Sequence, residues 1–261
     1  MSLTTDFGAA YSGICAGVVY SIAPCANVLV LSDEVTPYAI TEGALLLRQA
    51  LPYLPVGVHV GIVDPGVGTP RQPVAVRTGR GDVLIGPDNG LLVPAAGALG
   101  GVAAAHRLEN PAYRLPGVST SFHGRDVFAP AAGHLAAGAG LAELGAATDL
   151  LPLELPAAVI RNGVLTVTVL YADQFGSLIL SAAWPDIEAA LGPIAHGTRL
   201  EISWTGVSVK VPFEETFGRV ATGDPLVWID SSGQVGLAVN QGSAARRFGL
   251  SASDTLTLTI A

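Results

Sequence analysis

The alternation of the first 155 or so residues most constrains the fold. Short β-branched apolar runs, "NVLVL" (27–31), "VGVHVGIV" (56–63), "PVAVRT" (73–78) and "DVLIG" (82–86), are interspersed with helix-like segments. Runs this short and this apolar suit strands covered on both faces, as in a largely parallel sheet with helices packed on it. Segment 36–51 reads as one such helix, with Thr36 as N-cap and Pro37 at its first position. Segment 126–140 reads as another, ending in glycines. The class expected is α/β.

The pattern changes once, near "LPLELPAA" (151–158). Beyond it nearly everything reads as β, with turn signals at Asn162-Gly163, Thr205-Gly206 and Ser232-Gly233 and strict alternation in the closing "TLTLTI". One helix, 185–191, interrupts it. These strands predict a small antiparallel barrel or sandwich.

Half of the 261 residues are hydrophobic, so a large core is expected, packed mainly by Ala, Val and Leu because aromatics are few. The net charge is −8 and lysine occurs once, at Lys210. That excludes the clustered basic track a nucleic-acid partner needs. Residues 7–32 carry no charge, but Pro24, Asn27, Ser12 and Ser21 interrupt them and no basic segment precedes them. They read as a buried helix and a buried strand, with no membrane partner, and the expected location is the cytoplasm. Cys15 and Cys25 read as two buried thiols of a reducing compartment. No cysteine or histidine spacing suits a metal.

Charge is only 13% of the chain, and much of it sits in glycine-bearing segments between apolar runs. Asp6 in "LTTDFG" follows a strand and precedes a helix, so it either binds ribose hydroxyls or caps the helix. In "VDPGVGTPR" (63–71) Asp64 ends a strand, and Arg71 can fold back onto it, as a site or as an ordinary turn with a surface ion pair. In "SFHGRDVFAP" (121–130) His123 precedes a glycine, as a site residue or as a structural or incidental loop histidine; Arg125 can pair with a carboxylate and Asp126 can cap the next helix. His134 reads as a packing residue within that helix. In "ADQFGSL" Asp173 suits an ammonium and Phe175 a flat base, while 231–245 offers hydroxyls and Asn240; plain β-turns are the alternative for both. No nucleotide-binding glycine motif occurs, and Ser231 and Ser232 do not sit in a nucleophile elbow.

Taken in order, "LTTDFG", "TPYAITEGA", "VDPGVGTPR", "GPDNGLL", "SFHGRDVFAPAAGHLAAG", "DQFGS" and "VNQGSAA" resemble the S-adenosyl-L-methionine hydroxide adenosyltransferase family. That family is similar to the bacterial fluorinase and chlorinase. The resemblance implies an N-terminal α/β catalytic domain over 1–155 and a C-terminal β-barrel domain over 159–261. It implies hydrolysis of S-adenosylmethionine to adenosine and methionine without a cofactor. It also implies a homotrimer whose active sites lie between one subunit's N-terminal domain and a neighbour's C-terminal domain. The family's catalytic triad falls on Asp64, Arg71 and His123, and its ribose-binding aspartate on Asp6. Its methionine-ammonium aspartate falls on Asp173, its aromatics around adenosine on Tyr38 and Phe175, its adenine loop on Asn240 and Gln241, and its methionine-carboxylate loop on Ser231. The halogenases' halide-pocket serine corresponds to Gly124, the arginine beside their carboxylate-binding serine to Ser232, and an adenine-binding asparagine to Ser177. Their aromatic at position 64 is absent. These departures favour water over halide. A halide-using transferase, a non-catalytic adenosine or S-adenosylmethionine binding module and a structural trimer with a vestigial pocket are the competing readings.

Overall fold

A computed structural model describes residues 1–261 as two compact units, Met1–Glu154 and Leu155–Ala261. The first contains β1 (Ser2–Thr5), α1 (Gly8–Ile22), β2 (Leu29–Ser32), α2 (Ile40–Ala50), β3 (Val58–Ile62), β4 (Pro73–Thr78), β5 (Val83–Pro87), α3 (Val93–Ala98), β6 (Val102–Arg107) and α4 (Ala129–Ala136). The sheet order is β2-β1-β3-β5-β4-β6. The β1–β2, β1–β3 and β3–β5 pairs are parallel, and the β4–β5 and β4–β6 pairs antiparallel. Two apolar clusters flank the sheet, one around Phe128, Ile85 and Val60, the other around Leu47, Leu84 and Leu91.

Three sequence expectations change here. The helix expected from Thr36 begins at Ile40, because Tyr38 takes a left-handed φ of 69° and turns the chain first. The 126–140 helix is shorter: a π-helical turn at Gly124–Phe128 leads into α4. The uncharged 7–32 segment is a helix and a strand, yet it is far from fully buried. Tyr11, Ile14 and Tyr20 are exposed on α1, Leu29 and Val30 are 49% and 41% exposed on edge strand β2, and Cys25 is exposed. Cys15 alone fits the buried-thiol expectation, and burial pushes its thiol up to about 12. No helix is long and apolar enough to cross a membrane.

A buried polar chain that the sequence did not announce ties the amino ends of β1 and β3 to the start of β5. Ser2 Oγ lies 2.8 Å from His59 Nδ1, and His59 Nε2 lies 3.1 Å from Asp82 Oδ1. Asp82 also accepts from Arg80 Nε at 2.7 Å and from the Gly57 amide at 3.1 Å. Burial alone would raise the Asp82 carboxyl, but Arg80, Gly57 and His59 outweigh it and bring it down to about 2. Because its folded pKa lies below the ordinary value of 3.8, its contribution to stability is present above that value and fades as pH falls towards about 2. Asp82→Asn is expected to cost about 3 kcal/mol at neutral pH. A lowered urea midpoint by circular dichroism, with an unchanged slope, is the check.

The second unit contains β7 (Val159–Arg161), β8 (Val164–Ala172), β9 (Leu178–Ala183), α5 (Trp184–Leu191), β10 (Arg199–Trp204), β11 (Val207–Pro212), β12 (Pro225–Ile229), β13 (Gln234–Val239), α6 (Ala244–Phe248) and β14 (Thr255–Ile260). Its antiparallel order is β11-β10-β14-β8-β9-β13-β12, with β7 on β8. A bridge from Phe213 to Val227 joins the two ends into a nearly closed barrel around Leu165, Leu178, Leu200 and Leu256. Asn162 and Thr205 take positive φ before their glycines, as two-residue hairpins require.

Candidate active site

Strand order locates the site in the first unit. The chain steps from β1 to β2 on one side and then to β3 on the other, so a topological switch point falls between β1 and β3. Ligands of open α/β sheets bind outside the carboxyl ends of strands at such a point. β1 and β3 pair in register through Thr5 and Ile62. Asp6 therefore leaves one strand beside Asp64 leaving the other, with only Val63 between Ile62 and Asp64.

Asp6 Oδ2 accepts from the Tyr38 amide at 2.8 Å. This fixes the left-handed turn before α2 and places Tyr38, which is 73% exposed, at the same edge. The cap position of α1 is held by Phe7, and the Asp6 carboxylate is taken up by the Tyr38 amide, so the helix-cap reading is not realised.

The Asp64–Arg71 loop closes on itself through two successive turns, Val67 N to Asp64 O and Thr69 N to Gly66 O, each 3.2 Å. Arg71 Nε donates to Asp64 Oδ1 at 3.0 Å, and Arg71 Nη2 donates to Asp64 Oδ2, a bidentate pair. Both side chains are more than nine-tenths buried, so this is not the surface ion pair of the simpler reading. Gly68 presses the loop onto the 119–123 segment: it has φ 76°, and a Cβ there would stand 2.3 Å from the Thr120 carbonyl oxygen. That contact brings His123 to the pair, with Nδ1 3.2 Å from Arg71 Nη2. The Arg71 guanidinium also lies over the Phe128 ring at 5.4 Å, and its Nη1 is buried without a hydrogen-bond partner.

Guanidinium only donates, so His123 Nδ1 is the acceptor, and the neutral ring carries its proton on Nε2. Burial and the Arg71 charge depress the His123 pKa, which keeps it neutral near pH 7. Burial raises the Asp64 pKa despite Arg71. The cluster thus offers a carboxylate more basic than usual, gripped by a guanidinium, and one neutral N–H donor.

Asp126 is not the helix cap expected. It accepts from the Ser119 amide at 2.8 Å and pairs with adjacent Arg125, so it shapes the 119–126 loop instead. Phe122 in that loop packs edge-on with Phe7 and Tyr11. His134 packs against the Tyr113 ring.

In the second unit, Asp173 Oδ1 accepts from the amides of Phe175 and Ser177 at 2.9 and 2.8 Å, ordering a tight turn. Ala245 N donates to Gly176 O at 2.9 Å, which joins this turn to the segment after β13. Together they form a cleft lined by Phe175, Ser177, Phe217, Asn240, Gln241 and Arg246. Phe217 and Arg246 had no signal in their own segments; only the fold brings them here. Asn240 Nδ2 is committed to the Val220 carbonyl at 2.8 Å, leaving its Oδ1 for a ligand. Ser231 does not join the cleft. It sits in the β12–β13 turn, at the opposite end of β13 from Asn240, roughly 20 Å away by strand rise.

The chain matches the SAM hydroxide adenosyltransferase N-terminal domain over residues 1–145 and the C-terminal domain of the same description over residues 167–257. A curated relative, the (R)-S-adenosyl-L-methionine hydrolase of Salinispora tropica, is 43% identical, covering 99% of this chain and 97% of that protein. The fluorinase of an Actinoplanes species is 28% identical, covering 98% of this chain and 94% of that protein. The crystal structure of an uncharacterised conserved protein from Thermotoga maritima superposes with a TM-score of 0.88 at 28% identity, covering 99% of both chains.

Proposed function

This chain belongs to the SAM hydroxide adenosyltransferase family, and from that premise we propose that it hydrolyses S-adenosyl-L-methionine to adenosine and L-methionine. The single observation that carries the chemistry is the buried Asp64–Arg71–His123 cluster, an acceptor and a donor locked together at the switch point of the sheet.

Sulfonium leaves as a neutral thioether, so departure of methionine needs no general acid and no cofactor. The task is to aim a weak nucleophile. In our reading water donates one proton to Asp64 and accepts from His123 Nε2–H, which leaves one lone pair for the ribose 5′ carbon. The oxygen–carbon bond forms as the carbon–sulfur bond breaks, its electron pair goes to sulfur, and the proton passes to Asp64 and then to solvent. Positioning of this kind contributes roughly 7–11 kcal/mol. Arg71 holds Asp64 ionised and fixes the His123 tautomer. Asp6 receives the ribose hydroxyls beside Tyr38. Phe175, Asn240 and Gln241 receive the base, and Asp173, in the turn beside their cleft, the methionine ammonium; Ser231, in the β12–β13 turn, is kept for the methionine carboxylate on the family resemblance alone.

We further propose a cytoplasmic homotrimer, with each site completed by one subunit's first unit and a neighbour's second unit. The exposed Tyr11, Ile14 and Tyr20 of uncharged α1 support a subunit contact there.

Water is favoured over halide by crowding as well as charge. A Cβ at Gly124 would stand 3.1 Å from the Phe122 ring and 3.4 Å from Cys15 Sγ, so a hydroxyl-bearing side chain fits there only if its neighbours yield. The experiment is incubation of purified protein with S-adenosyl-L-methionine, alone and with chloride or fluoride. Adenosine and methionine in every arm are expected. A 5′-halo nucleoside would support the transferase reading, and binding without turnover the binding-module reading.

A further inference from the structure

The motif "GPDNGLL" (86–92) has no part in the chemistry above, yet it grips both ends of the loop that carries it. We propose that Asn89 is a positioning residue, whose side-chain amide acts with the Asp88 backbone to clamp the 64–71 loop and so set the Asp64–Arg71–His123 geometry. Its effect on turnover rests on the hydrolase reading; the clamp itself does not.

β3 loses its ladder just where the loop begins. Its pairing with β5 ends at Val60–Ile85, and its pairing with β1 ends at Ile62–Thr5. The carbonyl of buried Val63, immediately before Asp64, therefore lies beyond both ladders. Asn89 Nδ2 donates to it at 2.9 Å. Asn89 Oδ1 accepts from the Leu91 amide at 3.2 Å, which fixes the donor end of the amide towards Val63. At the far end of the loop, the Asp88 amide donates to the Gln72 carbonyl at 2.9 Å, one residue past Arg71.

The turn that makes both contacts is itself anchored. Asp88 is 9% exposed, and its Oδ1 accepts from the Leu151 amide at 2.9 Å. Gly90 has φ 90°, and a Cβ there would stand 2.9 Å from Leu153 Cα, so the turn is seated against 151–153. Leu91 and Leu92 continue into the core. A rigid turn thus spans the loop's two ends, and Arg71 lies close enough to Asp88 to lower its burial-raised pKa. Asn89 itself makes no hydrogen bond to the three side chains it positions.

Small displacements of a reacting group matter: about 1 Å costs on the order of 10²-fold in rate. The test uses Asn89→Ala and Asn89→Asp. The aspartate keeps the shape and the Leu91 contact but turns an acceptor towards the Val63 carbonyl. Steady-state hydrolysis, direct adenosine binding and nitrogen NMR of the His123 ring are measured on each folded variant. The expected result is a kcat lower by roughly 10- to 100-fold with little change in KM or adenosine affinity. The His123 nitrogens should also move from the single Nε2–H tautomer towards a mixture. Wild-type kcat and wild-type nitrogen signals in variants that are merely less stable would overturn the proposal, and so would failure of both to fold, since Asn89 would then serve the fold as a whole. Absence of hydrolysis by the wild-type protein would count against the hydrolase reading alone; the His123 signals would still decide for or against the clamp.

Discussion

Asp64→Asn is expected to lower kcat by about 10²–10⁴-fold, the usual contribution of a positioned base, with adenosine affinity nearly unchanged. Asparagine keeps the size of the side chain and an oxygen for Arg71 Nε, but it takes no proton and turns an amide towards Arg71 Nη2, a donor facing a donor. The loss should fall on kcat, because Asp64 meets water rather than the nucleoside. The pH profile carries the sign. Asp64 must be ionised, and burial raises its pKa above the ordinary carboxylate value, so the wild-type rate falls as pH drops through that raised value. In the variant this limb disappears, and only the limb from His123, which lies below the ordinary imidazole value, remains. A variant with wild-type kcat would remove Asp64 from the chemistry.

Arg71→Met carries the second large effect. It leaves Asp64 buried without its partner, and breaking such a pair costs about 3–5 kcal/mol. Arg71 lowers the pKa of both Asp64 and His123, so its removal raises both. Activity requires both groups deprotonated, and groups with higher pKa stay protonated to higher pH. The acid limb therefore moves to higher pH, and raising the pH recovers part of the lost rate. His123 also loses the donor that holds its tautomer, so recovery stays incomplete. Urea unfolding at pH 7 and a pH–rate profile measure the two parts. An unmoved acid limb would show that Arg71 does not tune the pair.

How much of this was legible in the sequence follows from what each residue answers to. Scarce charge beside glycines at strand ends drew attention to Asp64, Arg71 and His123, but their grouping came from the family resemblance, because the residues alone left an ordinary turn for the first two and no partner for the third. The hairpins at Asn162-Gly163 and Thr205-Gly206 were legible because their turns demand positive φ. Strand direction was less so. Alternation suggests parallel strands, but β4 and β5 are joined by only "GRGD", a signal for an antiparallel hairpin that the apolar runs overshadowed. The start of α2 was displaced because a tertiary contact from far earlier in the chain, Asp6 to the Tyr38 amide, overrode a local proline signal. The exposure of Leu29, Val30 and Cys25 was hidden because hydropathy reports what a segment prefers, not what the chain has to cover it with. The Ser2–His59–Asp82 chain and the grip of Asn89 on Val63 were hidden for a related reason: each joins residues from separate strands or turns, and only the folded sheet sets them side by side.

Water is the nucleophile at the ribose 5′ carbon in this mechanism, and every role given to Asp64, Arg71 and His123 depends on it. Hydrolysis of S-adenosyl-L-methionine in ¹⁸O-water, followed by mass spectrometry of both products, tests it directly. The predicted products are adenosine carrying one ¹⁸O at its 5′ hydroxyl and methionine carrying none. Unlabelled adenosine, label in methionine, or no adenosine at high enzyme concentration would contradict it.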